Sequence, residues 1–244
     1  MSSLLIWKLE YIEPLVALCA CTLGFTGYYF ISSSKLLHAR FTAKFGEEKT
    51  LVWWVVFQKF SGVFFLGIIP AIISLTILSK TPADFGMKTE NALISFYWIA
   101  GLAALIIPMN FIFARKPDNI KTYPQIRTKE WNMRLVLVNT LSWMAYLLAY
   151  EYLFRGFLLF SFESTLGVWP AIAINTAIYS FVHIPKGIKE TLGAIPFGIL
   201  LCIITLNTGT IWVAFFAHVI LSQSGEYIAL YFNPEMKFKF RKHN

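Results

Sequence analysis

The sequence predicts an all-α fold, a polytopic bundle of transmembrane helices. Hydrophobic residues make up 57% of the 244 residues and charged residues only 14%, whereas soluble domains carry about 25% charged residues. The mean hydropathy of +0.61 agrees with this composition. The hydrophobic residues form long stretches separated by basic clusters, which is typical of spanning helices and not of the weakly alternating strands of an outer-membrane barrel.

The number of spans follows from these stretches. We identify seven, at roughly 12–33, 51–79, 93–113, 132–162, 168–185, 191–206 and 210–232. The second and fourth are long enough to tilt or to extend past the bilayer, and splitting the second would give eight. The residues before the first stretch include Glu10 and Glu13 and only one basic residue, Lys8, which fits a cleaved signal peptide poorly. We therefore expect the first stretch to be a span.

The basic residues predict the topology. With seven spans, the side that holds loops 34–50, 114–131 and 186–190 and the C-terminal tail carries fifteen of the 21 lysines and arginines, and the other side carries three. Because cytoplasmic loops are enriched in these residues, we expect a cytoplasmic C-terminus. We therefore attribute the net charge of +8 to basic loops on the cytoplasmic side of the membrane. No nucleic-acid partner is expected.

This reading divides the chain into four parts. They are N-terminal helices and loops (1–114), a basic cytoplasmic loop (115–131), a core that carries the polar residues discussed below (132–232) and a basic tail (233–244). The expected partners are membrane lipid and a peptide or membrane protein. Cys19, Cys21 and Cys202 all lie in apolar stretches without a C-x-x-C pair, so we expect neither a disulfide framework nor a thiolate metal site, and no cofactor.

The fourth stretch contains ionised residues in an apolar run. Glu151 and Arg155 stand four residues apart, which places them on one helix face about 6 Å apart, with the acid N-terminal as an ion pair prefers. Charged groups at membrane depth cost at least a few kcal/mol and persist mainly where they pair or act. We therefore expect a buried Glu151–Arg155 pair.

Other polar residues are predicted at a similar depth. Counting 1.5 Å per residue from the non-cytoplasmic ends of the spans places Glu151 about 16 Å deep, His183 about 21 Å, His218 about 12 Å and Ser222 about 18 Å. Each has a purely structural interpretation: a histidine held by a packing hydrogen bond, a structural ion pair, or a small hydroxyl at a helix contact. Their common depth favours a shared polar cavity near the midplane.

These residues also form a recognisable pattern. Tyr150-Glu151-x-x-x-Arg155-Gly156, Tyr179-x-x-x-His183, Gly198 and the turn 207–212 that leads to His218-x-x-x-Ser222 resemble the motifs of the CAAX protease and bacteriocin-processing (CPBP) family of intramembrane proteases, which includes Rce1-type prenyl-protein endopeptidases. The resemblance covers about 130–230. Asp84-Phe85-Gly86-Met87 is similar to a short upstream segment of that family.

The resemblance implies roles for individual residues. His183 would orient the attacking water, and His218 with Ser222 would stabilise the oxyanion. Glu151 matches the second glutamate of the family's Glu-Glu-x-x-x-Arg motif, and Arg155 matches its arginine. Tyr179 stands where phenylalanine is usual, and Ser222 where asparagine is common.

The first motif glutamate is replaced by Tyr150. A phenol, with an ordinary pKa of about 10, is a poor base at neutral pH, and Glu151 is expected to be held by Arg155. Two functions stay open: an endopeptidase, of reduced activity, in which Glu151 or His183 is the base and Tyr150 positions water or substrate, and a non-catalytic pseudoprotease that binds a peptide or membrane partner. Transport and a metal site made of Glu151, His183 and His218 are weaker alternatives, the latter because no His-Glu-x-x-His signature is present.

Overall fold

A computed structural model describes residues 8–239. Within them the chain forms α1 (Ile12–Ser32), α2 (Lys35–Phe45), α3 (Glu47–Thr76), α4 (Ala92–Phe113), α5 (Pro117–Thr122), α6 (Met133–Leu166), α7 (Val168–Phe181), α8 (Ile188–Thr208) and α9 (Trp212–Phe232). Short 3₁₀ turns span Leu9–Tyr11, Pro82–Phe85 and Ile184–Lys186, and β1 (Glu130–Trp131) pairs in parallel with β2 (Lys237–Phe238). The end of the predicted basic tail, 240–244, and residues 1–7 lie outside the described residues.

The helices confirm the predicted all-α polytopic membrane fold. Six helical runs in the described residues are long and apolar enough to cross a membrane: α1 with the turn before it, α3, α4, α6, α8 and α9. The shorter apolar helix α7 has 14 residues, about 21 Å at the α-helical rise. The second hydrophobic stretch is not split, because α3 is helical throughout. The protein is therefore an integral, multi-pass membrane protein.

Two predicted boundaries differ from the structure. The loop expected at 34–50 contains α2, whose first turn is capped by Ser34: its hydroxyl accepts a hydrogen bond from the Leu37 amide at 3.3 Å. The fifth span was predicted to reach residue 185, but α7 ends at Phe181, and His183 lies in the turn that follows. Pro185 disfavours helical geometry in the residue before it, which is consistent with an early end.

Helix α6 lies at the centre of the bundle. It packs against α1, α3 and α9, while α4 packs along α9 and α7 packs along α8. The second half of α6 buries Leu153, Phe154, Phe157 and Leu158 completely, in a core that also contains Ala17 of α1 and Leu66 of α3. Because this part of α6 is surrounded by other helices, Glu151 and Arg155 face the protein interior and not lipid.

The centre of α6 is a π-helical segment, Tyr152–Leu158. Such segments occur mostly as single turns within α-helices, frequently at functional sites. The neighbouring helix stabilises this one, because the Asn175 side-chain amide donates to the Phe154 carbonyl at 2.6 Å. The Asn175 side-chain oxygen in turn accepts from the Cys202 thiol at 3.2 Å. The segment is thus tied to α7 and α8 at the level of the site.

The turn before α9 is fixed by the segment around Gly86. The Gly86 carbonyl accepts hydrogen bonds from the Ile211 amide at 3.0 Å and the Thr210 hydroxyl at 3.1 Å. The same segment touches α6 at Gly156, where an added Cβ would lie 2.7 Å from the Phe85 carbonyl oxygen. The segment 84–87, whose sequence resembles the family's upstream segment, therefore fixes the start of α9 relative to α6.

Candidate active site

Glu151 is the centre of the buried polar cluster. It is the last residue before the π-helical segment, and its Oε1 lies 2.6 Å from Nδ1 of His218 on α9. Its Oε2 lies 3.5 Å from Nη1 of Arg155, and both side chains are 0% exposed. The predicted pair with Arg155 is present, but the shortest contact of the carboxylate is with His218. A single carboxylate thus joins α6 to α9.

Arg155 is held by Tyr179 as well as by Glu151. Its guanidinium carbon lies 4.0 Å from the centroid of the Tyr179 ring on α7, a cation–π geometry that stabilises a desolvated cation. Its nitrogens form no hydrogen bond with any residue among 8–239. The arginine is therefore retained by charge and ring contact, and Tyr179 supports it.

The two histidines are each fixed through Nδ1. Nδ1 of His183 lies 2.7 Å from the Tyr179 carbonyl oxygen, and because a carbonyl only accepts, this nitrogen carries the proton and donates it. Nδ1 of His218 donates to the Glu151 carboxylate. In the described residues no hydrogen bond uses Nε2 of either ring. Both imidazoles therefore keep Nε2 available, one ring being held by a neutral group and the other by a carboxylate.

Tyr150 fills the space beside both imidazoles. Its ring centroid lies 6.4 Å from that of His183 and 5.7 Å from that of His218, with interplanar angles of 87° and 82°. Its hydroxyl is buried without a hydrogen-bond partner in residues 8–239. Tyr150 therefore contacts the two histidines through its ring, and its hydroxyl is bonded to neither.

A cavity of about 560 Å³ opens beside this cluster, within the range typical of ligand sites. His183, His218 and Ser222 line it, whereas Tyr150, Glu151 and Arg155 do not. Its opposite walls come from α4 and α8 and are mostly apolar, with Asn110 and Glu190 as polar exceptions and with side chains including Leu102, Ile106, Met109, Phe197 and Leu200. The histidines and Ser222 thus face a space that an extended, largely apolar ligand fits.

The structure brings together the four residues whose depth was predicted to be shared. Glu151 touches His218, while His183 and Ser222 reach the same cavity from α7 and α9. Sequence reasoning overlooked Glu226, which lines the cavity and accepts hydrogen bonds from the Gln125 amide at 3.0 Å and from Asn139 at 3.2 Å. An ionisable residue inside the last span was the signal that could have identified it.

The alternative metal site finds no support in the geometry. Within residues 8–239, no group of three or more His, Cys, Asp or Glu side chains is arranged to hold a metal ion. Glu151 and His218 use each other, and His183 bonds to backbone. The contacts therefore describe a hydrogen-bonded pair and a separately held histidine.

Comparison with known proteins finds one family similarity. No curated protein and no solved structure matches the chain. Residues 129–222 match the family model described as type II CAAX prenyl endopeptidase Rce1-like. The match runs from just before α6 to Ser222, and so contains each of the motif residues from Tyr150 onward. Over residues 129–222, this membrane protein is similar to the Rce1-like family.

Proposed function

We propose that the protein is an intramembrane endopeptidase that hydrolyses a peptide bond of a membrane-associated or lipidated peptide. The observation that carries this proposal is the pair of cavity-lining histidines, each fixed through Nδ1 and each with Nε2 available. Peptide hydrolysis needs a base for water and donors aimed at the developing oxyanion. Two imidazoles in different electrostatic surroundings can divide these tasks.

His183 is the proposed base. Its Nδ1 proton is committed to the Tyr179 carbonyl, so Nε2 of the neutral ring can accept a proton from water. The resulting hydroxide forms a bond to the peptide carbonyl carbon, and the C=O electron pair moves onto oxygen. When the C–N bond breaks, the leaving amine takes the proton back from His183 Nε2, which restores the neutral ring.

His218 and Ser222 are the proposed oxyanion donors. They stand one helical turn apart on α9 and both line the cavity. When His218 carries protons on both nitrogens, Glu151 balances its charge at 2.6 Å, and Nε2–H can donate to the oxyanion beside the Ser222 hydroxyl. Glu151 then acts through His218. In this proposal it is a positioning residue and not the base that accepts the proton from water.

The missing first glutamate favours slow turnover. General acid–base catalysis contributes typically 10²–10⁴-fold, and the position of the motif carboxylate is filled by the Tyr150 ring. The second candidate function, a pseudoprotease that binds its peptide without cleaving it, is favoured by the same observation. A measurement of peptide cleavage distinguishes the slow endopeptidase from the pseudoprotease.

The test is cleavage of an internally quenched peptide, with and without a prenyl group, by purified protein in lipid nanodiscs. We expect slow cleavage that His183→Ala abolishes and that Tyr150→Phe leaves nearly unchanged, because the Tyr150 hydroxyl has no partner in the described residues. Tyr150→Glu is expected to raise the rate. Binding without cleavage in both the wild type and Tyr150→Glu would instead establish the pseudoprotease.

The proposed orientation places the C-terminus in the cytoplasm. It is supported by the concentration of lysine and arginine in the loops on one side of the spans. A C-terminal fusion to a fluorescent protein that matures only in the cytoplasm is expected to fluoresce. A fusion to a phosphatase that is active only after export should stay inactive, and the reverse pattern would overturn the orientation.

A further inference from the structure

A second cavity, of about 420 Å³, lies on the side of the bundle predicted to be cytoplasmic. It is enclosed by the end of α1, by α3 and α6, and by the loop between α4 and α6. Among residues 8–239, four cationic side chains and no acidic side chain line it: Lys59, Lys121, Arg127 and Lys186. The proposed catalytic mechanism uses none of these residues.

Lys59 points to a ligand in this cavity. The residue is only 4% exposed, and its ammonium forms no hydrogen bond with any described residue. It lies 4.4 Å from the centroid of the Trp143 ring, a contact that compensates only part of the desolvation of a cation. The buried carboxylate of Glu226 attracts this ammonium, but it lines the first cavity and not this one, and it forms no hydrogen bond with Lys59. Lys59 therefore keeps unused hydrogen-bond donors at the second cavity, where an anion can accept them.

The remaining cations are arranged to complete that site. Arg127 Nη1 donates to the backbone carbonyls of Ile120 at 3.0 Å and Tyr123 at 3.3 Å, which fixes its guanidinium in place. Within the described part of the chain, the one ion pair of Lys186 is a long contact of 3.8 Å with Glu190, which leaves it able to turn to another anion. The cavity is thus lined by a buried cation (Lys59), a cation fixed by hydrogen bonds (Arg127) and two cations on exposed side chains that can reorient (Lys121 and Lys186).

We propose that this cavity binds the phosphate group of an anionic membrane lipid. Several cations can share one phosphate, whose oxygens accept more than one hydrogen bond. Basic pockets between transmembrane helices on the cytoplasmic side are suited to anionic head groups. Tyr28 of α1 and Val55 of α3 add apolar surface to the wall, along which the lipid can continue from its head group. The proposal is independent of whether the protein cleaves peptides.

The site also shares a wall with the candidate active site. Trp143 and Lys186 line both cavities, so a bound head group lies on the other side of the same two side chains. The lipid is thereby placed to hold Trp143, and with it one wall of the peptide cavity.

The experiment is lipid binding to the purified full-length protein, measured by native mass spectrometry with phosphatidylglycerol and phosphatidylcholine. Lys59→Met is compared with Lys49→Met, which removes the same charge at an exposed position of the same helix. We expect Lys59→Met to weaken phosphatidylglycerol binding at least about fivefold, the effect of about one basic contact, and Lys49→Met to change it less than about twofold. Lys121 is a more exposed residue of the same cavity, and Lys121→Gln is expected to weaken phosphatidylglycerol binding as Lys59→Met does. It tests the proposal if Lys59→Met does not fold.

Three results would overturn the proposal. Equal losses in the Lys49 and Lys59 variants would indicate general surface attraction. Displacement of phosphatidylglycerol by inorganic phosphate at similar concentration would indicate a site for soluble anions. Displacement by a peptide with a free C-terminal carboxylate, but not by its amide, would assign the cavity to a peptide instead of a lipid.

Discussion

Replacing Arg155 with methionine tests whether the buried ion pair stabilises the bundle. The guanidinium is 0% exposed, 3.5 Å from Glu151 and 4.0 Å from the Tyr179 ring. Methionine keeps much of the volume and removes the charge, so Glu151 is left with His218 alone. Removing one partner of a buried pair costs about 3–5 kcal/mol, and at about 2–4 °C per kcal/mol for a chain of this size the melting temperature should fall by about 6–20 °C.

The assay is thermal unfolding in one detergent, followed by intrinsic tryptophan fluorescence. Arg134→Met is the matched control, because Arg134 lies on the same helix but is exposed, and it should shift the melting temperature by no more than about 2 °C. The double variant Glu151→Gln with Arg155→Met should lose less than the sum of the single variants, since it removes both buried charges together. His218→Ala keeps Arg155 opposite Glu151 and is expected to reduce folded yield less than Arg155→Ala. Equal melting temperatures for Arg155→Met and Arg134→Met would refute the reasoning.

Two further predictions concern the loop before α4. The Thr81 hydroxyl and amide donate to the Asp84 carboxylate at 2.8 and 2.7 Å and hold the pKa of that carboxyl below its ordinary 3.8. The stability that this provides is complete above pH 3.8 and is lost as the pH falls through the lowered pKa. The melting temperature of Asp84→Asn should therefore fall less than that of the wild type on acidification to about pH 3, and an equal fall would contradict the prediction. Gly156→Ala should destabilise by about 1–3 kcal/mol because its Cβ would meet the Phe85 carbonyl oxygen at 2.7 Å. Gly101→Ala, which would meet nothing within 4 Å, is its control in the same unfolding assay, and equal behaviour of the two variants would show that Gly156 is not tightly packed.

The fold could be predicted from the sequence because hydropathy and charge act over whole segments. A run of some twenty apolar residues has few alternatives to a spanning helix, and residues 8–239 contain such helices at six of the seven predicted positions. Helix α2 was overlooked because it is short and basic, and only the cap at Ser34 indicates its start. Helix α7 was predicted too long because hydropathy continues past Phe181, whereas the helix does not.

The candidate site could be predicted only in part. The helical rise predicts how deep Glu151, His183 and His218 lie in the membrane. Depth is only one of the coordinates that define the position of a side chain. Rotation about each helix axis depends on packing, so sequence reasoning had no basis for preferring His218 over Arg155 as the nearest partner of Glu151. The position of the Tyr150 ring beside the two imidazoles and the hydrogen bond from Asn175 likewise depend on how α7 and α9 pack against α6.

The π-helical segment of α6 has a consequence for what this chain tolerates. A π turn holds one residue more than an α turn, so the two halves of α6 differ in angular phase by about 100° from a continuous α-helix. Substitutions within Tyr152–Leu158 keep the number of residues and therefore keep that phase. A one-residue deletion would cancel it and turn Leu159–Leu166, with the start of α7 behind it, away from its present neighbours. Chain length in these seven residues is consequently constrained more tightly than the chemistry of most side chains they carry.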